Sequence, residues 1–292
     1  MAQFLLLEAF EGTNKKIPVW FMRQAGRYLP EYQRLKAKYS LEDLFKTPDL
    51  AAQITCMPIG ILGVDAAILF ADILTLPAAM GFDIKFDSQN GPIVNSQFDI
   101  KAIHDFKDLS HVTKAIHLAN QSLPKHIPLI GFAGSPYTVL TYLLEGGSSV
   151  SFHKTLRFIE ENEKAFHAIM EQLTHNTIRY FQLQKEAGIK VFQLFDPWAG
   201  QLRAADYAHW VLPCVKHIFK AVDLPSIYFV KNSNHLLSLM DQTQADFLSV
   251  DHTVILGHNR VIEKTKKGIQ GNLFNGLLYA DKETLEREIH DV

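Results

Sequence analysis

The sequence predicts an α/β protein built on a parallel sheet, and three observations carry that expectation. Short apolar, β-branched runs alternate with longer amphipathic segments along all 292 residues. No linker, low-complexity tract or repeat divides them, the longest Gly/Ser cluster being Gly146-Gly147-Ser148-Ser149. Hydrophobic residues make up 47% of the chain, enough for one large core. Unbroken strand and helix alternation over this length points to helices packed outside a parallel sheet, either doubly wound or closed into a barrel.

The elements follow in order. Residues 1–10 read as an opening helix, because Glu8 interrupts the apolar run and no cationic stretch precedes it, unlike a secretory signal. Strands are predicted at Ile17–Met22, Ala66–Phe70, Ile127–Phe132, Lys190–Phe195, Ser226–Val230, Phe247–Val250 and Gly268–Gln270. Helical periodicity is clearest at Asp49–Leu62, Phe152–Gly188, Ala204–Val222, Leu236–Gln242, Asn259–Lys267 and Lys282–His290. Asp83–Val94, centred on Gln89-Asn90-Gly91-Pro92, reads as an inserted hairpin. Seven core strands fall one short of the eight that close a barrel.

Charge and cysteine content narrow the function. Lys plus Arg number 29 against 31 Asp plus Glu, so no basic footprint for nucleic acid appears. Met57–Phe82 is long enough to span a bilayer, but each of Asp65 and Asp72 at its centre would cost about 2.5–3.5 kcal/mol, so a buried core segment is expected. Two cysteines, Cys56 and Cys214, cannot build a disulfide framework, which fits a reducing cytoplasm. Thirteen histidines, His167 and His209 among them, show no HExxH, His-x-Cys or CxxC spacing, so no metal site is expected.

Four segments that could carry chemistry each follow a predicted strand, where parallel α/β proteins place ligands. Pro18–Tyr32 holds Arg23 and Arg27, which a helical turn would set on one face as two forks for carboxylate or phosphate; two arginines in surface salt bridges would read the same. Asp72 stands among apolar residues, either as a functional carboxylate or as a helix cap or arginine partner. Gly131–Gly146 is a small-residue turn running into a helix that carries Tyr142, a site residue or a core tyrosine. Phe195–Gln201 is the fourth.

Pro18–Tyr32 and Gly131–Gly146 resemble the two signature segments of the uroporphyrinogen decarboxylase family. The likeness continues through Phe70–Leu74, Gln193–Gly200 and Gly271-Asn272, and so covers nearly the whole chain. The resemblance implies a (β/α)8 TIM barrel, usually a cytoplasmic homodimer, with a small-molecule substrate and no cofactor, metal or membrane partner. It implies removal of CO2 from the four acetate arms of uroporphyrinogen III, giving coproporphyrinogen III in haem biosynthesis. By similarity, Asp72 holds the pyrrole N–H groups and stabilises the cation that accepts the electrons. Arg23 and Arg27 would clamp substrate carboxylates, with Arg23 also a candidate proton donor or its positioner. Tyr142 would hydrogen-bond near a reacting acetate, and Gln24, Ala25 and Gly26 would contribute backbone to the binding loop.

The chain departs from the family pattern in four places. Pro197 replaces a Ser or Thr that bonds substrate, Asp251-His252-Thr253 replaces Asp-Trp-Arg, and Leu273-Phe274 replaces Asp-Pro. The chain also stops at Val292 after a seventh helix, before the family's eighth strand and its histidine; Leu256-Gly257-His258-Asn259 reads as a helix start instead. A single, C-terminally truncated barrel domain over 1–292 is therefore expected. Two alternatives stand beside the enzyme: a degenerate paralogue or fragment that only binds porphyrinogen, and a zinc-dependent corrinoid methyltransferase of the same superfamily.

Overall fold

The computed structural model describes residues 4–87, 91–95, 104–256, 265 and 267–290. Eight strands are labelled in chain order: β1 Ala67–Ile68, β2 Ile84–Asp87, β3 Gly91–Val94, β4 Leu129–Gly134, β5 Val191–Phe195, β6 Ser226–Phe229, β7 Phe247–Ser249 and β8 Gly268–Gln270. Six of them form one parallel sheet in the order β1-β4-β5-β6-β7-β8. Chain order and spatial order run together without reversal. A doubly wound sheet would reverse at a switch point, so the winding is that of a barrel.

Curvature brings the ends of this sheet towards each other through the segment before β1. Val19 exchanges two bonds with Asp65 just ahead of β1, its carbonyl accepting the Asp65 N–H and its N–H donating to Asp65 Oδ2, each 2.8 Å. One residue on, Trp20 Nε1 donates to Gln270 Oε1 of β8 at 3.0 Å. Ile17–Met22, expected as a strand, forms none. Pro18 has no N–H to give a ladder, a carboxylate takes one of the two bonds at Val19, and Ile17 is 81% exposed.

The central strands are the buried ones. Every residue of β4 is buried, and in β5 Phe192 packs on Phe181 and Phe219 of the flanking helices. The predicted hairpin is present as antiparallel β2 and β3, with Asp87 opposite Gly91, while its turn at 88–90 lies outside the described residues. So does nearly all of the predicted helix Asn259–Lys267, with the helix start at Gly257-His258-Asn259.

Three further differences have local causes. The run expected as one helix over Phe152–Gly188 is two, His153–Glu161 and Glu163–Ala187, because Asn162 leaves helical geometry at φ −140°, ψ 44°. The run Ala204–Val222 opens into a π-helical turn at Tyr207–Val211 before Leu212–Ala221. Pro213 explains it: a proline in a continuous helix lacks the bond to residue 209 and collides with that carbonyl, and a wider turn relieves both. Ser110–Ser122 is a helix outside the predicted set. Its His, Asn, Ser and Thr residues are weak helix formers, and burial of Val112, Ala115, Ile116 and Ala119 supplies what propensity does not.

Candidate active site

Because the sheet strands are parallel, their carboxyl ends share one rim, and three of the four predicted segments lead out of it, after β1, β4 and β5. Past β1, the chain turns at Asp72. Asp72 Oδ1 accepts the Leu74 N–H at 2.8 Å and the Asp72 N–H donates to Thr75 Oγ1 at 3.3 Å, so the carboxyl closes the turn that leads into the helix Thr75–Ala79. Oδ2 makes no hydrogen bond among the described residues. Burial pushes the Asp72 carboxyl upward; the Leu74 N–H and the positive charge of Arg23 pull it back. One oxygen holds the local turn, and the other is left unengaged among the described residues.

Tyr142 stands in the helix Pro136–Glu145 that leaves β4, with Pro136 in the first turn and Gly146 closing the helix at φ 84°. Its ring stacks on Trp198 at 3.8 Å and 23°, and Phe152 meets Trp198 edge-on at 5.3 Å. Burial raises the phenol, the Asp72 charge adds to that, and the Arg23 charge opposes it. The Arg23 charge thus reaches both Asp72 and Tyr142, and the Asp72 charge reaches Tyr142.

The loop between Val19 and the helix Pro30–Lys36 holds the remaining predicted residues. It is not helical after Arg23, so the two arginines do not share a helix face. Arg23 acts on Asp72, whereas the charge of Arg27 is felt at Tyr32. Gln24 is buried and fully occupied: its amide nitrogen donates to the Ala66 carbonyl at 3.0 Å, its amide oxygen accepts from the Phe21 N–H at 3.2 Å, and its carbonyl accepts the Tyr28 hydroxyl. It ties the loop to the start of β1. Ala25 and Gly26 are half-buried behind it, and a Cβ on Gly26 would press within 3.2 Å of the Tyr28 ring.

After β5 comes a buried polar chain. Thr138 Oγ1 donates to Asp196 Oδ1 at 2.6 Å, Tyr228 hydroxyl donates to Asp196 Oδ2 at 2.9 Å, and Tyr207 hydroxyl donates to Tyr228 at 3.1 Å. Burial lifts the Asp196 carboxyl to about 6, against the bonds from Thr138 and Tyr228. The chain holds the 196–198 turn in place, and the Trp198 N–H adds a long bond to Thr138 Oγ1 at 3.4 Å. Pro197 sits in that turn with neither hydroxyl nor N–H.

Two residues of this rim escape sequence reasoning. Trp198 lies in a flagged segment, but nothing in the sequence says that its ring will face Tyr142. Tyr180, buried in the helix Glu163–Ala187, senses the Asp72 charge and reads as ordinary core by its spacing. A shallow groove of about 660 Å³ between Phe10, Asp241, Phe247 and Lys267 lies at the opposite, amino end of β7 and β8. Elsewhere, Glu163, His167 and His209 come together on the outer helical layer, a grouping that no spacing motif contains.

A parallel sheet wound in barrel order, with a carboxylate and a stacked tyrosine just beyond its strand ends, has the architecture of the TIM-barrel class. The family model for uroporphyrinogen decarboxylase (URO-D) matches residues 2–292, and the chain belongs to that family. It is 36% identical over 285 residues to the uroporphyrinogen decarboxylase of Carboxydothermus hydrogenoformans, covering 94% of this chain and 81% of that one. With the uroporphyrinogen decarboxylase of Geobacter sp. strain M21 the identity is 38% over 286 residues, covering 94% and 84%. Among solved structures, a methyltransferase from Methanosarcina mazei superposes with a TM-score of 0.79 at 21% identity, over 92% of this chain and 82% of that one, a likeness of fold.

Proposed function

We propose that this chain is a cofactor-free carboxy-lyase that converts the four acetate side chains of uroporphyrinogen III to methyls, giving coproporphyrinogen III. The observation that carries the reading is Asp72, one oxygen fixed by the Leu74 N–H, the other unengaged among the described residues, beside Arg23 and Tyr142. Protonation of a pyrrole ring carbon gives an iminium. The bond from the acetate methylene to its carboxylate then breaks, its electron pair neutralises the iminium, and CO2 leaves. A second proton makes the methyl and the ring proton departs, so each arm consumes one proton net. Asp72 Oδ2 accepts the pyrrole N–H and faces the cation as it forms. Arg23 binds a substrate carboxylate and Tyr142 donates near the reacting arm, while Arg27 and the backbone of Gln24, Ala25 and Gly26 shape the loop around it.

Residues 1–292 as one barrel domain, a cytoplasmic setting and a homodimer belong to the same reading, supported by family membership. The rival with an observation behind it is a chain that binds porphyrinogen without turning it over. Pro197 offers nothing to a substrate where a hydroxyl is the family rule.

The test is turnover of uroporphyrinogen under anaerobic conditions, products separated by carboxyl count. Four-carboxyl product is expected, with Asp72→Asn slower by about 100-fold or more while folded by circular dichroism. A folded chain that binds uroporphyrin and releases no CO2 establishes the rival. Asp72→Asn at full rate overturns the role given to the carboxylate.

A further inference from the structure

Away from the rim, the outer helical layer carries a second group of chemistry-bearing side chains. Glu163 and His167 stand four residues apart in the helix Glu163–Ala187 and so leave it on one face. His209 comes from the π-helical turn Tyr207–Val211. One ligand atom from each lies within 4.8 Å of the other two, and all three residues are exposed. Packing beneath holds the two backbones in register. Phe166, fully buried, meets Trp210 edge-on at 5.9 Å, which links the neighbour of His167 to the neighbour of His209. The imidazoles themselves lie 5.5 Å apart at 83°.

We propose that Glu163, His167 and His209 bind one divalent transition-metal ion of the zinc class. Two imidazole nitrogens and one carboxylate oxygen are a set that zinc takes at about 2.0–2.2 Å, with a fourth position left to water. Tetrahedral bonds of that length put donors about 3.3–3.5 Å apart, so the three need to close by at most about 1.5 Å, within the rotamer freedom of exposed side chains. Magnesium and calcium want six or more oxygens and are not expected. The two thiols compete poorly, since burial pushes Cys56 up to about 11 and raises Cys214 as well, and the thiolate is the ligand. A bound ion ties the start of the helix Glu163–Ala187 to the turn fixed by Pro213, two elements that the chain connects only through β5. The π turn, a feature that recurs at functional sites, presents one of the three donors.

The experiment uses the whole chain without a histidine tag, stripped with EDTA, then titrated with Zn2+ by calorimetry and with Co2+ by visible absorption, Mg2+ in parallel. One equivalent of Zn2+ is expected, with Co2+ bands of nitrogen and oxygen ligation, no Mg2+ uptake, and a melting temperature that climbs with free zinc. His167→Ala and His209→Ala should each weaken zinc binding by about tenfold or more, and Glu163→Gln should weaken it too. All three are surface changes, so the circular dichroism spectrum should stay as it is. Absence of a saturable equivalent overturns the proposal. Uptake that survives the double variant His167→Ala/His209→Ala overturns it equally, since the ion then sits on other side chains.

Discussion

Asp72 and Asp196 are both carboxyls raised by burial, but their neighbours differ, and so do the consequences. Asp72 has a positive charge to moderate it in Arg23. Removing that charge with Arg23→Gln should let the Asp72 pKa climb, so the acid limb of kcat/KM moves to higher pH, and the lost carboxylate contact should lower kcat/KM by about tenfold or more. A pH–rate profile reads both, and an unmoved limb would separate Arg23 from the ionisation of Asp72. Asp196 is held by hydroxyls and by the Thr138 N–H and stands at about 6 when folded, above the ordinary carboxylate value of 3.8. The folded state therefore holds more protons between those values, and stability falls as pH rises from about 4 to about 6, then levels. The full effect is on the order of 3 kcal/mol. Asp196→Asn should flatten that part of the curve relative to the unmodified chain, measured by urea midpoints across about pH 4 to 7.

At the scale of elements, one side chain substitutes for a missing strand partner. β1 pairs with β4 only at Leu129 and Ile130, so Phe132 further along β4 lacks a ladder neighbour on that side. Gln184 of the helix Glu163–Ala187 fills in: its amide oxygen accepts the Phe132 N–H at 3.1 Å and its amide nitrogen donates to the Phe132 carbonyl at 3.0 Å. Space for it exists because residue 131 is glycine, where a Cβ would lie 2.2 Å from Gln184 Oε1 and 2.6 Å from Ile189 Cδ1. Gly131→Ala should destabilise by about 3 kcal/mol from overpacking and lost buried bonds. In a double-mutant cycle with Gln184→Ala the two costs should fall short of additive. Additive costs would mean that the pair do not meet. Such a contact is illegible in sequence: glutamine in a helix reads as surface, and only the sheet's early parting of β1 from β4 makes it core.

Across the whole molecule, burial decays from the middle of the sheet to its last strand. β4 is wholly buried and β5 nearly so, β8 is half-buried throughout, and the closing helix Lys282–His290 buries none of its residues. Hydrogen exchange should follow the same gradient, with amides of β4, β5 and β6 opening near the global limit and those of β8 and 282–290 exchanging orders of magnitude faster. Uniform protection from β4 to β8 in exchange mass spectrometry would contradict this account. The gradient also explains why Trp20 matters: its bond to Gln270 fastens the least buried strand to the segment ahead of β1.

Periodicity and turn chemistry are local properties, and they were enough to specify the parallel α/β class, six of the seven expected strands, the hairpin and the rim on which Asp72 and Tyr142 stand. The signature segments sufficed for the family. What needed three dimensions was every relation between distant parts of the chain. Ile17–Met22 has strand-like residues, yet whether a strand forms depends on partners, and Asp65 and Gln270 supplied side chains in place of a ladder. Trp198 against Tyr142, Tyr180 near Asp72, and Glu163 with His167 and His209 join residues whose separation along the chain carries no signal. A sequence specifies which side chains leave one face of one element; which faces meet is settled by packing the elements together.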